Sequence, residues 1–263
     1  MVKKVKIPDL WQLKREKKPI ITGVAYDYQT GRILDRAGFD LILVGDSGGR
    51  VLLGHQNNQA CTMEEMLIMT RSVARGAQRA FIIGDLPFMS YQISIEEAVR
   101  NSGRFIQEAG ADGVKLEGGK RFAPVVEAIV NAGIPVLGHI GATPMTTMGM
   151  ATIRTDQVYD MDEEAIVGDA HAIQNAGAFG VVLSRIPPPI AARITKELSI
   201  FTVGQHNADG PPIGGTSNML GIDAGQIDKP TSRYGPVARI IYDAMTQYVA
   251  EVRAGKAPSS SSE

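Results

Sequence analysis

Cysteine is almost absent. Cys61 is the only one in 263 residues, so no internal disulfide can form, which fits a reducing compartment. Charge of one sign is also missing. Lysine and arginine number 27 against 28 acidic residues, which removes the electrostatic case for a nucleic-acid partner or an anionic membrane surface. No apolar run is long enough to span a bilayer. Residues 1–18 are charged and hold no apolar core of the signal-peptide kind, so a soluble cytoplasmic protein is expected. A balanced chain of this length suits a single α/β-barrel domain acting on a small molecule.

What the chain does have is a recurring pattern of buried strand followed by chemistry. Leu41-Ile42-Leu43-Val44 runs into Gly45-Asp46-Ser47-Gly48-Gly49, an apolar run that stops at a carboxylate, a hydroxyl and two glycines. The design returns at Phe81-Ile82-Ile83-Gly84-Asp85, at Gly113-Val114-Lys115-Leu116-Glu117 and at Val136-Leu137-Gly138-His139. In a parallel barrel the C-terminal strand ends share one mouth, so these groups converge although distant in sequence.

Between the strands lie helix signals. A short helix or arm over 11–18 leads into a first strand over 19–25, closed by Tyr26, Asp27 and Tyr28, with helical turns over 29–38. Thr62 and Ser94, each followed by acids in the first turn, mark two helix starts. Further helices are expected over 121–132, 162–177 and 188–198, with strands near 134–139, 179–184 and 199–204. Seven strands alternate with helices on this reading, and an eighth is sought within 212–222. A (β/α)8 TIM barrel over 1–253 is the economical fold. An open doubly wound sheet would put a glycine-rich loop after the first strand, where Tyr26-Asp27-Tyr28 stands instead. The serine-rich end, 254–263, reads as a disordered tail.

Gly45-Asp46-Ser47-Gly48-Gly49 matches the nucleophile string of trypsin-like proteases, but those need an upstream histidine on an all-β scaffold, and the first histidine here is His55. Asp46, Asp85 and Glu117 make the stronger constellation. Carboxylates meeting at one mouth repel unless a hard cation such as magnesium neutralises them; alternatively each merely caps the helix after its strand. Lys115 and Glu117 lie two apart and so share a face. A lysine there suits a carboxylate or an enolate oxygen. His139 reads as a metal ligand, a proton donor or a hydrogen-bonded histidine under the rim.

These strings, with Ala25-Tyr26-Asp27-Tyr28, Leu53-Gly54-His55, Asp85-Leu86-Pro87-Phe88-Met89-Ser90-Tyr91, Lys115-Leu116-Glu117-Gly118-Gly119, Gly138-His139-Ile140-Gly141 and Met219-Leu220-Gly221, run in family order over about 200 residues. The chain resembles the ketopantoate hydroxymethyltransferase family of the phosphoenolpyruvate/pyruvate barrel superfamily. The resemblance implies transfer of a one-carbon unit from 5,10-methylenetetrahydrofolate to a 2-oxo acid, 3-methyl-2-oxobutanoate, in pantothenate biosynthesis. It implies that Asp46 and Asp85 hold Mg2+, that Glu117 reaches the ion through water, and that Ser47 and Lys115, with Asp85 and His139 beside them, face the substrate. It also implies a homo-oligomer, a decamer in the family, and the short segment 52–60 reads as one able to pack between subunits.

The departures fall on later strands. The family ends the strand near 180 in a glutamate base, whereas here Val182-Leu183-Ser184-Arg185 puts Ser184 in its place. A serine hydroxyl accepts no proton at neutral pH without a base beside it, and losing a positioned base costs about a hundredfold to ten-thousandfold in rate. Arg50 replaces an apolar residue, Ser217-Asn218 replaces a histidine-aspartate pair, and 203–210 and 148–155 also differ from the family pattern. His206 and Arg185 become new polar groups at later strand ends, with His206 a candidate substitute base. Three functions are compatible with this mixture: the hydroxymethyl transfer, a magnesium-dependent lyase or decarboxylase on a related 2-oxo acid, and a non-catalytic relative.

Overall fold

The computed structural model describes residues 3–143, 162–204, 208–211, 216–228, 232 and 234–256. Seven parallel strands pair strictly in chain order: β1 (Thr22–Val24), β2 (Leu41–Val44), β3 (Phe81–Asp85), β4 (Gly113–Glu117), β5 (Val136–Gly141), β6 (Gly180–Ser184) and β7 (Phe201–Val203). Helix α1 (Ile7–Arg15) precedes them. The helices between strands are α2 (Tyr28–Ala37), α3 (Ser47–Val51) with α4 (Met63–Gly76), α5 (Ile95–Gln107), α6 (Ala123–Asn131), α7 (Glu163–Asn175) and α8 (Pro188–Glu197). This is the alternation of a β/α barrel. The residues group into two compact units, 1–213 with every strand, and 214–263 with α9 (Thr216–Leu220) and α10 (Val237–Arg253).

Local chemistry sets the helix starts. The Thr62 hydroxyl accepts from the Glu65 amide at 3.3 Å while the Glu65 carboxylate accepts from the Thr62 amide at 2.8 Å, a reciprocal cap. Ser94 accepts from the Glu97 amide at 3.1 Å. Helix α1 begins four residues before the expected start at 11. Pro8 suits its first turn and Asp9 reaches back to the Lys6 amide at 2.9 Å, a cap that the apolar period alone does not reveal.

Which way each strand residue faces follows from close contacts on the outer side. A Cβ on Gly84 would stand 2.2 Å from the Phe105 ring of α5, and one on Gly138 would stand 2.4 Å from Ile173 of α7. Their neighbours Asp85 and His139 therefore face the barrel interior. Register carries the same facing around the sheet, with Asp85 opposite Lys115, Glu117 opposite His139, and Gly141 opposite Ser184. At the other end of the strands, Phe81, Phe179 and Phe201 stack with centroids 5.4 and 5.6 Å apart. The Trp11 indole N–H, from α1, donates to the Phe179 carbonyl at 2.9 Å and ties the helix to this floor.

The expected eighth strand is not seen among the described residues. Within 212–222 the described part is the helix Thr216–Leu220 followed by a turn at Gly221 and by Ile222, while 212–215 lie outside the described residues. A short loop bridges β7 and β1 instead. The Ile20 amide donates to the Asp209 carbonyl at 3.0 Å, and the Gly210 amide donates to the Thr202 carbonyl at 3.1 Å. The Asp209 carboxylate accepts from the Thr202 amide and from Lys14 Nζ, both at 2.8 Å. Four irregular residues thus satisfy polar groups on β7 and on the segment just before β1, which a pattern-based search for a strand overlooks.

Asp209→Ala leaves the Thr202 amide without its acceptor and Lys14 with only the Thr195 carbonyl at 3.0 Å, so it should lower the unfolding free energy by about 1–3 kcal/mol in urea titrations. Cation affinity at the opposite end of the barrel should not change.

Candidate active site

At the C-terminal ends of β2 to β5, Asp46, Asp85, Lys115, Glu117 and His139 are all buried, with 8% exposure or less. Pleat and register dictate their meeting: Lys115 and Glu117 project from alternate positions of β4, and Asp85 stands directly across from Lys115. Lys115 Nζ lies 2.7 Å from each Asp85 carboxylate oxygen and 3.7 Å from Glu117 Oε1. The Asp46 amide donates to Asp85 Oδ2 at 3.3 Å, and Asn58 Nδ2 donates to Asp46 Oδ1 at 3.2 Å. Asp46 Oδ2 is buried with no donor. The Tyr91 hydroxyl donates to the Glu117 carbonyl at 3.0 Å and accepts from its amide at 3.2 Å, which pins the end of β4.

Three carboxylates face one ammonium here. Burial, followed by the charge of Asp85, pushes the Asp46 carboxyl up to about 7. Asp85 is raised as well, by burial, against the pull of Lys115. For Lys115, burial disfavours the ammonium, but Asp85, Glu117 and Asp46 together outweigh it, so the lysine is held above its ordinary value and stays charged. With all three acids ionised, three negative charges gather round one ammonium. A divalent cation would balance them, and the donor-free Asp46 Oδ2 offers it an oxygen. Among the described residues no three His, Cys, Asp or Glu side chains form a ready-made cage. Magnesium does not require one, since it takes one or two carboxylates and fills the other positions with water and substrate oxygens. Asp46 and Asp85 fit that role.

The other expected residues are placed as follows. Ser47 opens α3, half-buried, its hydroxyl 2.9 Å from the Tyr26 hydroxyl. That pairing, with no histidine, disposes of the protease string. His139 Nδ1 is 3.3 Å from Glu117 Oε1, close enough for charge to orient the ring but without hydrogen-bond geometry, and neither ring nitrogen has a hydrogen-bond partner. Ser184 ends β6 on the interior face, half-buried beside Gly141. Arg185, next to it, adopts φ 51°, the left-handed region. His206 and residues 148–155 lie outside the described residues. Cys61 is buried beneath α3 and its thiol is pushed up to about 12 by burial, so it supplies no nucleophile.

Sequence reasoning missed the contacts of Tyr91 and Asn58. Tyr91 lies in the string after Asp85 that the family resemblance rests on, a usable signal. Asn58 sits in the polar run Gln56-Asn57-Asn58-Gln59, which carries no periodicity.

With this geometry in place, comparison with known proteins is informative. The profile of the ketopantoate hydroxymethyltransferase family matches residues 4–260. A 3-methyl-2-oxobutanoate hydroxymethyltransferase of Pelobacter propionicus is 46% identical over 263 residues, covering 98% of this chain and 97% of the relative. Among solved structures, a phosphoenolpyruvate phosphomutase from Streptomyces platensis subsp. rosaceus superposes with a TM-score of 0.62 at 17% identity, covering 95% of this chain and 88% of that one. A phosphonopyruvate hydrolase complexed with oxalate and Mg++ gives 0.61 at 14% identity, over 97% and 88%. These two show the shared barrel fold.

Lys115→Met would strand Asp85 as a buried charge without its partner. It should cost about 3–5 kcal/mol of stability at neutral pH in denaturant titrations. In cation-free buffer, thermal stability should fall as pH rises from about 4 through about 7, because the raised Asp46 carboxyl binds its proton more tightly in the folded chain than in the unfolded one. Differential scanning calorimetry of Asp46→Asn should show a shallower decline; an identical slope would contradict the assignment.

Proposed function

The chain belongs to the ketopantoate hydroxymethyltransferase family, and from that membership and the buried carboxylates gathered at the barrel mouth we propose that it carries out a magnesium-dependent hydroxymethyl transfer. The acceptor is a 2-oxo acid, 3-methyl-2-oxobutanoate, and 5,10-methylenetetrahydrofolate is the donor. The single observation that carries this reading is the buried group Asp46, Asp85, Glu117 and Lys115, in which three carboxylates crowd one ammonium, a setting that suits a divalent cation.

Asp46 and Asp85 would hold the ion. When bound, magnesium supplies positive charge for the keto and carboxylate oxygens of the substrate, worth several kcal/mol where negative charge develops. Lys115, locked by both oxygens of Asp85, presents a second fixed positive charge to the oxo oxygen. Ser47, oriented by Tyr26, donates to the substrate carboxylate. Glu117 and Tyr91 hold the end of β4 rigid, and burial keeps bulk water away, which strengthens each of these interactions. The reaction removes the C3 proton of the oxo acid and bonds that carbon to the folate's methylene carbon, whose two bonds to folate nitrogens break. Water supplies the hydroxyl, and tetrahydrofolate leaves with the C3 proton and the remaining proton of the water. The family membership favours this transfer over a lyase on a related acid, and the buried charges argue against an idle scaffold.

The enzyme works as a cytoplasmic homo-oligomer on this reading. Among the described residues no helix is long and apolar enough to cross a membrane. Val51, Leu52 and Leu53, exposed in succession beside the mouth, offer an apolar surface to another copy.

Purified protein supplied with Mg2+ and both substrates should yield ketopantoate by mass spectrometry. Asp46→Asn and Asp85→Asn should each lower the rate by about a hundredfold or more, the loss of a few kcal/mol of charge stabilisation. Undiminished product formation in excess chelator would contradict the proposal.

A further inference from the structure

The family resemblance implies a catalytic carboxylate at the end of β6, where this chain has Ser184, so a reaction that begins with loss of the C3 proton needs another acceptor. The groups at the mouth can be taken in turn. Lys115 is held as an ammonium by both oxygens of Asp85. Asp46 and Asp85 are the pair suited to the cation. The Tyr91 hydroxyl is committed to the backbone of Glu117, and burial keeps Cys61 protonated. Ser184 would need a base of its own.

Among the described residues, with Glu117 engaged beside Lys115 and His206 outside them, His139 is the group with unused capacity. Its side chain is 10% exposed, yet neither ring nitrogen makes a hydrogen bond, an uncommon state for a buried imidazole. Its β5 position pairs with Val182 and that of Gly141 pairs with Ser184, so His139 and Ser184 share the interior face on adjacent strands, two residues apart along the barrel axis. Nδ1 faces Glu117 Oε1 at 3.3 Å, and a carboxylate there favours the tautomer with the proton on Nδ1. The opposite nitrogen, Nε2, then carries a free lone pair.

We propose that His139, oriented by Glu117, is the group that accepts the substrate's C3 proton in this chain, in place of the missing carboxylate at position 184. The inference rests on the hydroxymethyltransferase reading above. In the step, the C3–H bond breaks and its proton passes to Nε2. The released electron pair forms the C2–C3 double bond, and the carbonyl pair moves onto the oxo oxygen. In deuterated water the imidazolium exchanges its proton with solvent and returns a deuteron to C3. No further reagent is needed.

The experiment follows C3 exchange of 3-methyl-2-oxobutanoate in deuterated water with Mg2+ by proton NMR, alongside calorimetric binding of oxalate in the presence of Mg2+. His139→Gln should slow exchange by about a hundredfold or more while oxalate affinity stays within about threefold of the unaltered protein, the signature of a lost general base. Adding Ser184→Glu to His139→Gln should restore exchange, because a carboxylate returns to the family position. If glutamine disturbs oxalate binding, His139→Asn replaces it in the same pair of measurements. Exchange at the normal rate in a His139 variant that binds oxalate normally would overturn the inference and leave the transfer reading standing. Failure of the double variant to recover, with oxalate binding intact, would also count against it. Absence of exchange in the unaltered protein would overturn the transfer reading itself, and this inference with it.

Discussion

Everything at the mouth depends on how three buried carboxylates are reconciled with one buried ammonium. Lys115 engages both oxygens of Asp85 at 2.7 Å, and that contact is what makes the cluster tolerable without a cation. It does not finish the task. Asp46 keeps a buried oxygen with no donor and a carboxyl raised to about 7, so its ionised form is costly until an incoming divalent ion takes the place of the proton. A site selected for stability alone would have replaced such charges with apolar side chains of similar volume.

The barrel exists, in this sense, to hold those charges together. Strands paired in simple chain order put successive C-terminal ends side by side. Glycines on the outer face of β3 and β5 let α5 and α7 approach closely, which fixes the pleat and turns Asp85 and His139 inward. The aromatic floor of Phe81, Phe179 and Phe201, tied to α1 through Trp11, stabilises the end opposite the chemistry. This division, stability at one end and reactivity at the other, is the usual economy of barrels.

Much of this could be read from residue order. The caps at Thr62 and Ser94, the glycine ending α2, and the shared face of Lys115 and Glu117 follow from local rules and appear as expected. The convergence of Asp46, Asp85 and Glu117 followed from barrel topology once strand ends were recognised. The loop 208–211 did not, because its bonds to Ile20 and Thr202 join segments about 190 residues apart in one case and adjacent in the other, with no periodicity to announce either. Nor did the contacts of Tyr91 and Asn58, which come from loops placed by tertiary packing. The bidentate grip of Lys115 on Asp85 needed the β3–β4 register, which apolar patterning leaves open by two residues.

The most direct test of the central claim is anomalous diffraction from crystals soaked in Mn2+, a stand-in for magnesium with an oxygen-seeking coordination of its own. The account predicts one strong anomalous peak at the barrel mouth, in contact with the carboxylates of Asp46 and Asp85. A mouth without a peak, with Lys115 and the three acids alone filling it, would contradict the account.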